Sequence, residues 1–373
     1  MHILFAGGGT AGHINPALAV AGYIKEQEPN AKISYIGTAN KLEAKLVPAK
    51  GYDFYTIDVA GFQRKITPKN IVRNIDAVRK MFTSSRKARK LLKELKPDVV
   101  VGTGGYVSGP VLREAVKLGI KTAIHEQNAY PGITTKALAP NVNAVMLAMK
   151  EAQKHLNLKT EPIVTGNPVR RELMKMDRAA AREKLGINDD RPLILSFGGS
   201  LGARPINEAV VGLIKAHNNS GKYYHIHGAG KAGFETINAA IAESCGALAK
   251  EITVREYIDD MDVCMAAADL VICRAGAITL SELTVCKKPS VLIPSPYVAE
   301  NHQFHNAMTL VNAGAAEIIE EKDLSEEKLC KVVFSLLADE QKLESMKANA
   351  EKAAIADSNE RIYKVIKELY TQN

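Results

Sequence analysis

A chain of 373 residues with 46% hydrophobic and 24% charged side chains has the composition of a folded globular protein. It is too long for one ordinary core, so two domains of roughly 150–200 residues are expected. Trp is absent and aromatic residues make up 5%, so a base-stacking surface for single-stranded nucleic acid is poorly supplied and nucleic acid is not an expected partner. The five cysteines (Cys245, Cys264, Cys273, Cys286, Cys330) form no Cys-x-x-Cys pair, and an odd number in apolar surroundings reads as reduced thiols in the cytoplasm.

The formal charge of +8 is unevenly placed. Between Arg64 and Lys96 stand twelve Lys or Arg against Asp76 and Glu94, so this one segment makes the chain basic. The opening MHILFAGGG turns to glycine after five residues and reads as a strand, not a secretory leader. The longest run free of Asp, Glu, Lys, Arg and His, Val99 to Leu112, contains four glycines and a proline. A membrane span needs ~18–20 apolar residues, so any contact with a bilayer is expected to be peripheral.

Short apolar runs at His2–Ala6, Ile33–Ile36, Val99–Val101 and Thr122–Ile124 predict buried parallel strands, with helices over Ala17–Gln27 and Val111–Leu118 between them. The second half repeats the rhythm, with strands at Leu193–Phe197, Tyr223–His227, Leu270–Cys273 and Ser290–Ile293 and a helix over Glu208–His217. Each half opens as strand, glycine loop and helix: ILFAGGGTAGHINPALAV and LILSFGGSLGARPINEAV. The expected fold class is α/β, with two Rossmann-like, doubly wound parallel-sheet domains whose glycine loops face one cleft. Their expected limits are 1–166 and 167–356, joined through EPIVTGNPVRR. Asp357 and Glu360 resemble a capping box, and the stripe Ile362, Val365, Ile366, Leu369 predicts that helix 357–373 packs back on the first domain.

Gly7, Gly9 and Gly12 spell G-x-G-x-x-G after a strand, with Asn15 as expected N-cap and Pro16 as first helical residue. A dinucleotide site needs a carboxylate at the end of the second strand, but that strand ends Ile36-Gly37-Thr38-Ala39-Asn40. A phosphate or sugar loop fits better. His13, at a helix N-terminus, suits a neutral imidazole able to take a proton, or a residue that only caps a turn.

Arg79, Lys80 and their neighbours flank Ile75 and Phe82 on one face of a basic stretch, the pattern of an interfacial helix on anionic lipid. A core stripe with a solvated basic back, or an RNA-binding helix, is the alternative. In the second half Gly198-Gly199-Ser200 offers N–H groups to phosphate. Arg274 to Glu282 supplies a glycine turn, the hydroxyls of Thr279 and Ser281, and a carboxylate able to accept both hydroxyls of a ribose. Asp260-Met261-Asp262 has the Asp-x-Asp form of a metal site, but Asp260 is also the natural cap of the helix that follows. His302 and His305 have helical spacing and no evident ligand partner. His225 and His227, on one face of a strand, read as structural.

GGGTAGHINPALAVA, GTGGYVSGP, HEQNAYPG, TGNPVR, FGGSLGA, YIDDM and RAGAITLSEL…ENHQFHNA occur in this order. Together they resemble the bacterial peptidoglycan glycosyltransferases, of glycosyltransferase family 28 type. These join N-acetylglucosamine from UDP-N-acetylglucosamine to undecaprenyl-diphospho-N-acetylmuramoyl-pentapeptide. The resemblance implies the GT-B architecture, inversion at the anomeric carbon, no cofactor, no tightly held metal, and a peripheral place on the cytoplasmic face of the cell membrane, with its anionic surface as a partner.

It also implies a donor site of Thr10, Ala11, Gly12, Asn128, Arg170, Ser200, Ile258 (through its backbone, on uracil), Ala277, Ile278, Thr279, Leu280, Ser281, Glu282 (on the ribose diol) and Gln303. The acceptor diphosphate is implied at Gly104, Gly105 and Tyr106. The base that takes the acceptor's proton is expected to be His13, with His125 as second choice. One departure stands in the first loop, TAGH where the family has TGGH, which adds the Ala11 methyl against the ligand. Competing readings are another glycolipid glycosyltransferase, a UDP-sugar epimerase of the same fold, which would lack the basic amphipathic segment, and an NAD-dependent oxidoreductase, which lacks its ribose carboxylate here.

Overall fold

The structure is a computed structural model that describes residues 1–59, 83–170, 172–199 and 201–372. The expected membrane contacts Ile75, Arg79, Lys80 and Phe82 lie outside the described residues, as does Ser200. Two compact units are present, one formed by residues 1–169 with 357–373 and the other by residues 170–356.

The first unit carries β1 (His2–Gly7), α1 (Ala11–Gln27), β2 (Lys32–Gly37), α2 (Glu43–Ala49) and β3 (Asp53–Thr56). A helix α3 covers 83–95 of the described residues. Then follow β4 (Val99–Gly104), α4 (Gly105–Lys117), β5 (Lys121–Glu126), α5 (Ile133–Leu138), β6 (Ala144–Leu147) and β7 (Ile163–Val164). The seven strands form one sheet in the order β3-β2-β1-β4-β5-β6-β7. Every pairing is parallel, with Phe5 opposite Tyr35 on one side and Val101 on the other. Helices cover both faces of such a sheet, which is why β1 and β4 read as unbroken apolar runs.

The second unit carries α6 (Glu172–Lys175), α7 (Arg178–Lys184), β8 (Leu193–Phe197), α8 (Arg204–His217), β9 (Tyr224–Gly228), α9 (Phe234–Cys245), β10 (Ile252–Arg255) and α10 (Met261–Ala267). After these come β11 (Leu270–Cys273), α11 (Ala277–Val285), β12 (Ser290–Leu292), α12 (His302–Asn312), β13 (Ala316–Ile318), α13 (Glu326–Leu337) and α14 (Glu340–Ala353). Its six-stranded parallel sheet has the order β10-β9-β8-β11-β12-β13. In both sheets the order reverses beside the first strand, so a crevice for ligand opens beyond the carboxyl ends of β1 and β4, and of β8 and β11.

The last helix, α15 (Ser358–Thr371), belongs to the first unit. Ile362, Val365, Ile366 and Leu369 join Ile14, Ala17 and Val20 of α1 in one buried cluster. Tyr363 Oη donates to Glu28 Oε1 at 2.8 Å, and Lys367 pairs with the same carboxylate.

Three expected caps differ. Helix α1 begins at Ala11 with Thr10 at its N-cap, so His13 lies inside its first turn and Pro16 inside the helix instead of at its start. Asp357 occupies the N-cap of α15 but makes no capping bond; its carboxylate accepts from Arg361 Nε at 2.8 Å, so there is no capping box. Asp260 likewise stands at the N-cap of α10 and spends its carboxylate on Arg255, 2.6 Å away.

Candidate functional site

In the first unit the chain after β1 runs through Gly8, Gly9 and Thr10 into α1, with Thr10, Ala11 and Gly12 all exposed. A buried carboxylate holds this loop. Glu43 of α2 accepts from Gly9 N at 3.2 Å, Thr38 N at 3.1 Å and Thr38 Oγ1 at 2.7 Å. It thereby ties the loops after β1 and β2 together, and nothing in the sequence pattern singled it out.

His13, on the first turn of α1, packs against the junction of β4 and α4. A Cβ added at Gly104 would stand 2.6 Å from His13 Nδ1, and one at Gly105 would stand 2.3 Å from the Gly8 carbonyl. Both glycines also have positive φ, so a side chain at either place meets strain and a clash together. Thr103 Oγ1 donates to the His13 carbonyl at 2.7 Å. Ser108 fastens the start of α4, accepting from Gly104 N at 3.0 Å and lying 2.7 Å from the Ala6 carbonyl. Tyr106, by contrast, is exposed, one residue into α4.

The segment HEQN closes β5. His125 is buried, and burial holds its imidazole below the ordinary histidine pKa and therefore neutral. Its Nε2 lies 2.9 Å from the Gly166 carbonyl. Its other ring nitrogen meets Gln127 at 3.0 Å, and Gln127 Oε1 in turn meets His13 Nδ1 at 3.1 Å. The two histidines considered for the base are thus joined through one amide. Asn128 is steadied by Glu126, whose Oε1 accepts from both Asn128 N and Asn128 Nδ2 at 3.1 Å. The other oxygen of Glu126 takes Gly132 N at 3.1 Å and Thr135 Oγ1 at 2.5 Å.

In the second unit the Arg274–Gly276 turn leads from β11 into α11. Along this helix Leu280 is fully buried and Ala277 nearly so, so what Leu280 can offer a ligand is backbone; Ile278, Thr279 and Ser281 are partly exposed. Glu282, a turn in, is buried and accepts from Arg170 Nε at 2.9 Å. Burial pushes its carboxyl up, against the opposing pull of the guanidinium. Any ligand hydroxyl that uses this carboxylate would share it with the Arg170 guanidinium.

Ile258, in the turn after β10, is buried. Gln303 sits near the start of α12, and its Oε1 accepts from Ser295 N at 2.9 Å, so its NH2 end is what it can turn to a sugar hydroxyl. The sequence reading missed Asn306, fully buried, whose amide donates to the Ala275 carbonyl at 3.2 Å and fixes the turn before α11. Arg274, the first residue of that motif, is taken up by the Ile293 carbonyl at 3.1 Å and by Glu321. His225 and His227 are buried, both bonded to Ser196, in keeping with a structural part.

Known proteins share this arrangement along the whole chain. The glycosyltransferase family 28 N-terminal domain matches residues 3–147, and the glycosyltransferase family 28 C-terminal domain matches residues 193–362. A UDP-N-acetylglucosamine--N-acetylmuramyl-(pentapeptide) pyrophosphoryl-undecaprenol N-acetylglucosamine transferase of Acetivibrio thermocellus is 47% identical over 369 residues, 99% of this chain and 98% of its own. The protein of the same name from Ruminiclostridium cellulolyticum is 45% identical over 371 residues, covering 99% of this chain and all of its own. The crystal structure of Acinetobacter baumannii MurG superimposes with a TM-score of 0.79 at 30% identity, covering 98% of this chain and 99% of that one. With both domain types in order and relatives this similar from end to end, the chain belongs to glycosyltransferase family 28.

Proposed function

We propose that this enzyme transfers N-acetylglucosamine from UDP-N-acetylglucosamine to the 4-hydroxyl of undecaprenyl-diphospho-N-acetylmuramoyl-pentapeptide. The observation that carries this reading is the end-to-end similarity, at 47% and 45% identity, to proteins named for that transfer. The reaction is a single displacement. The acceptor O4 bonds to the anomeric carbon as the bond from that carbon to the UDP oxygen breaks, the configuration inverts, and the electron pair leaves with UDP. His13 takes the acceptor proton.

Arg170 and the N–H groups at the start of α11 offset the charge that grows on the diphosphate. Glu282 holds the ribose diol, Ile258 reads the uracil through its backbone, Gln303 and Asn128 reach the sugar, and Gly104, Gly105 and Tyr106 serve the acceptor diphosphate. Ser200 and the loop Thr10–Gly12 complete the donor contacts. No helix among the described residues is long and apolar enough to cross a membrane. In this reading the lipid acceptor is met from the cytoplasmic face, through the basic segment around Ile75, Arg79, Lys80 and Phe82 on anionic lipid. The test is UDP release from UDP-N-acetylglucosamine with and without a lipid-linked muramoyl acceptor. Acceptor-dependent release supports the reading, and interconversion of the donor to its 2-epimer in place of release would replace it with the epimerase.

A further inference from the structure

Gln127 stands between two histidines, and its surroundings leave its amide a single orientation. The Gly166 carbonyl, 2.9 Å from His125 Nε2, can only accept, so that nitrogen carries the proton and His125 Nδ1 carries the lone pair. Gln127 must therefore present its NH2 group to Nδ1, at 3.0 Å. The main-chain carbonyl of His125 imposes the same choice independently, because it lies 3.0 Å from the same Gln127 nitrogen and would repel an oxygen there. The amide oxygen is then left facing His13 Nδ1, at 3.1 Å. An oxygen there requires a donor opposite it. The frame around this chain is fixed as well: Asn167 Nδ2 donates to the Gln127 carbonyl at 3.2 Å, and Thr103 holds the His13 carbonyl. Glu126 is turned away, onto Asn128, Gly132 and Thr135.

We propose that Gln127 is a positioning residue that sets the tautomer of His13, keeping the proton on Nδ1 and exposing Nε2 as the lone-pair nitrogen. The proposal rests on His13 being the base of the transfer reaction. Donation runs inward, from His13 Nδ1–H to the Gln127 oxygen, from the Gln127 NH2 to His125 Nδ1 and from His125 Nε2–H to the Gly166 carbonyl, so each acceptor fixes the group that donates to it. His125 thereby sets the orientation of the base without touching substrate, which gives it a part distinct from the base role. Fixing a catalytic imidazole's tautomer is worth a great deal: in serine-protease triads the wrong tautomer costs about 10⁴-fold in turnover.

The test begins with 15N NMR of the full-length protein labelled at histidine, with His13→Asn used to assign the resonance. The expected result is a pyrrole-type Nδ1 and a pyridine-type Nε2 for His13. In Gln127→Met, which keeps the length but neither donates nor accepts as an amide does, both tautomers should be populated. Its kcat should fall roughly 10- to 100-fold with the donor KM unchanged. A residue that merely supports the fold would leave the His13 tautomer in place. A wild-type His13 protonated on Nε2, or a folded Gln127→Met with wild-type kcat and His13 tautomer, overturns the proposal. If the NMR result is as expected but His13→Asn keeps full turnover, the tautomer assignment stands and the base reading falls.

Discussion

Arg170 Nε donates to Glu282 Oε1 at 2.9 Å, joining two residues 112 positions apart. The carboxylate is largely buried and the guanidinium half exposed. The two donor-binding assignments are therefore coupled, and removing Glu282 also releases Arg170.

The coupling makes a specific expectation. Glu282→Ala should raise the KM for UDP-N-acetylglucosamine by a factor that corresponds to about 1.5–3 kcal/mol, the worth of a hydrogen bond to a charged group. Using a donor that lacks the ribose 2′-hydroxyl separates the two parts. The deoxy donor should bind more weakly than the natural one to the parent but equally well to Glu282→Ala. An equal deoxy penalty in both proteins by calorimetry would mean that Glu282 serves only to hold Arg170.

His13→Asn keeps a polar side chain but cannot take the proton. General base catalysis contributes about 10²–10⁴-fold, so kcat should drop by that order while the donor KM holds. Steady-state rates with both substrates varied decide it. A raised KM at unchanged kcat would make His13 a binding contact instead.

The buried histidines of the second unit make stability sensitive to acid. His225 and His227 both bond Ser196 and His217 bonds His225, and burial holds His217 and His227 down to about 4 and His225 well below its ordinary value. The unfolded chain takes up protons below about 6.5 while the folded one does not, so stability is level above that pH and falls as pH drops toward 4. Each histidine should contribute on the order of 1 kcal/mol per pH unit in that window. Urea unfolding between pH 7.5 and 4.5 measures the slope. His217→Gln, which retains a donor for His225, should reduce it by about one histidine's share.

The amphipathic basic segment supplies a prediction at the level of sequence. Ile75→Glu with Phe82→Glu should abolish sedimentation with anionic vesicles and spare activity on a short water-soluble acceptor. Each Lys or Arg near such a surface is worth about 1 kcal/mol, and salt should weaken the binding accordingly. Unchanged sedimentation of the double variant would remove this segment from the membrane contact.

Much of the fold is written in local pattern. Strands β8 and β11 run over Leu193–Phe197 and Leu270–Cys273, the bounds their apolar runs predict, because a central parallel strand is buried on both faces. Edge strands carry no such run: β3 reads DFYT and β10 reads ITVR, and neither was anticipated. The start of α1 was misread because Asn15-Pro16 imitates a helix start. At the sixth position Pro16 costs the helix one internal hydrogen bond, and the flanking turns hold without it. Glycine loops and motif carboxylates were legible as residue types. Their partners were not, since Glu43 under the first loop, Asn306 behind the second and Gly166 opposite His125 are distant in sequence and carry no periodic signal.

The last helix gives the first unit a late closing date. Its α1 face is completed only by Ile362, Val365, Ile366 and Leu369, yet the rest of that unit has been made by residue 169. At roughly 5–20 residues per second, the ribosome needs on the order of 10–40 seconds to make the intervening stretch. During that interval an apolar groove along α1 stands open on a nascent chain whose second unit is folding behind it. A ribosome stalled anywhere in α14 leaves a first unit with its core unfinished.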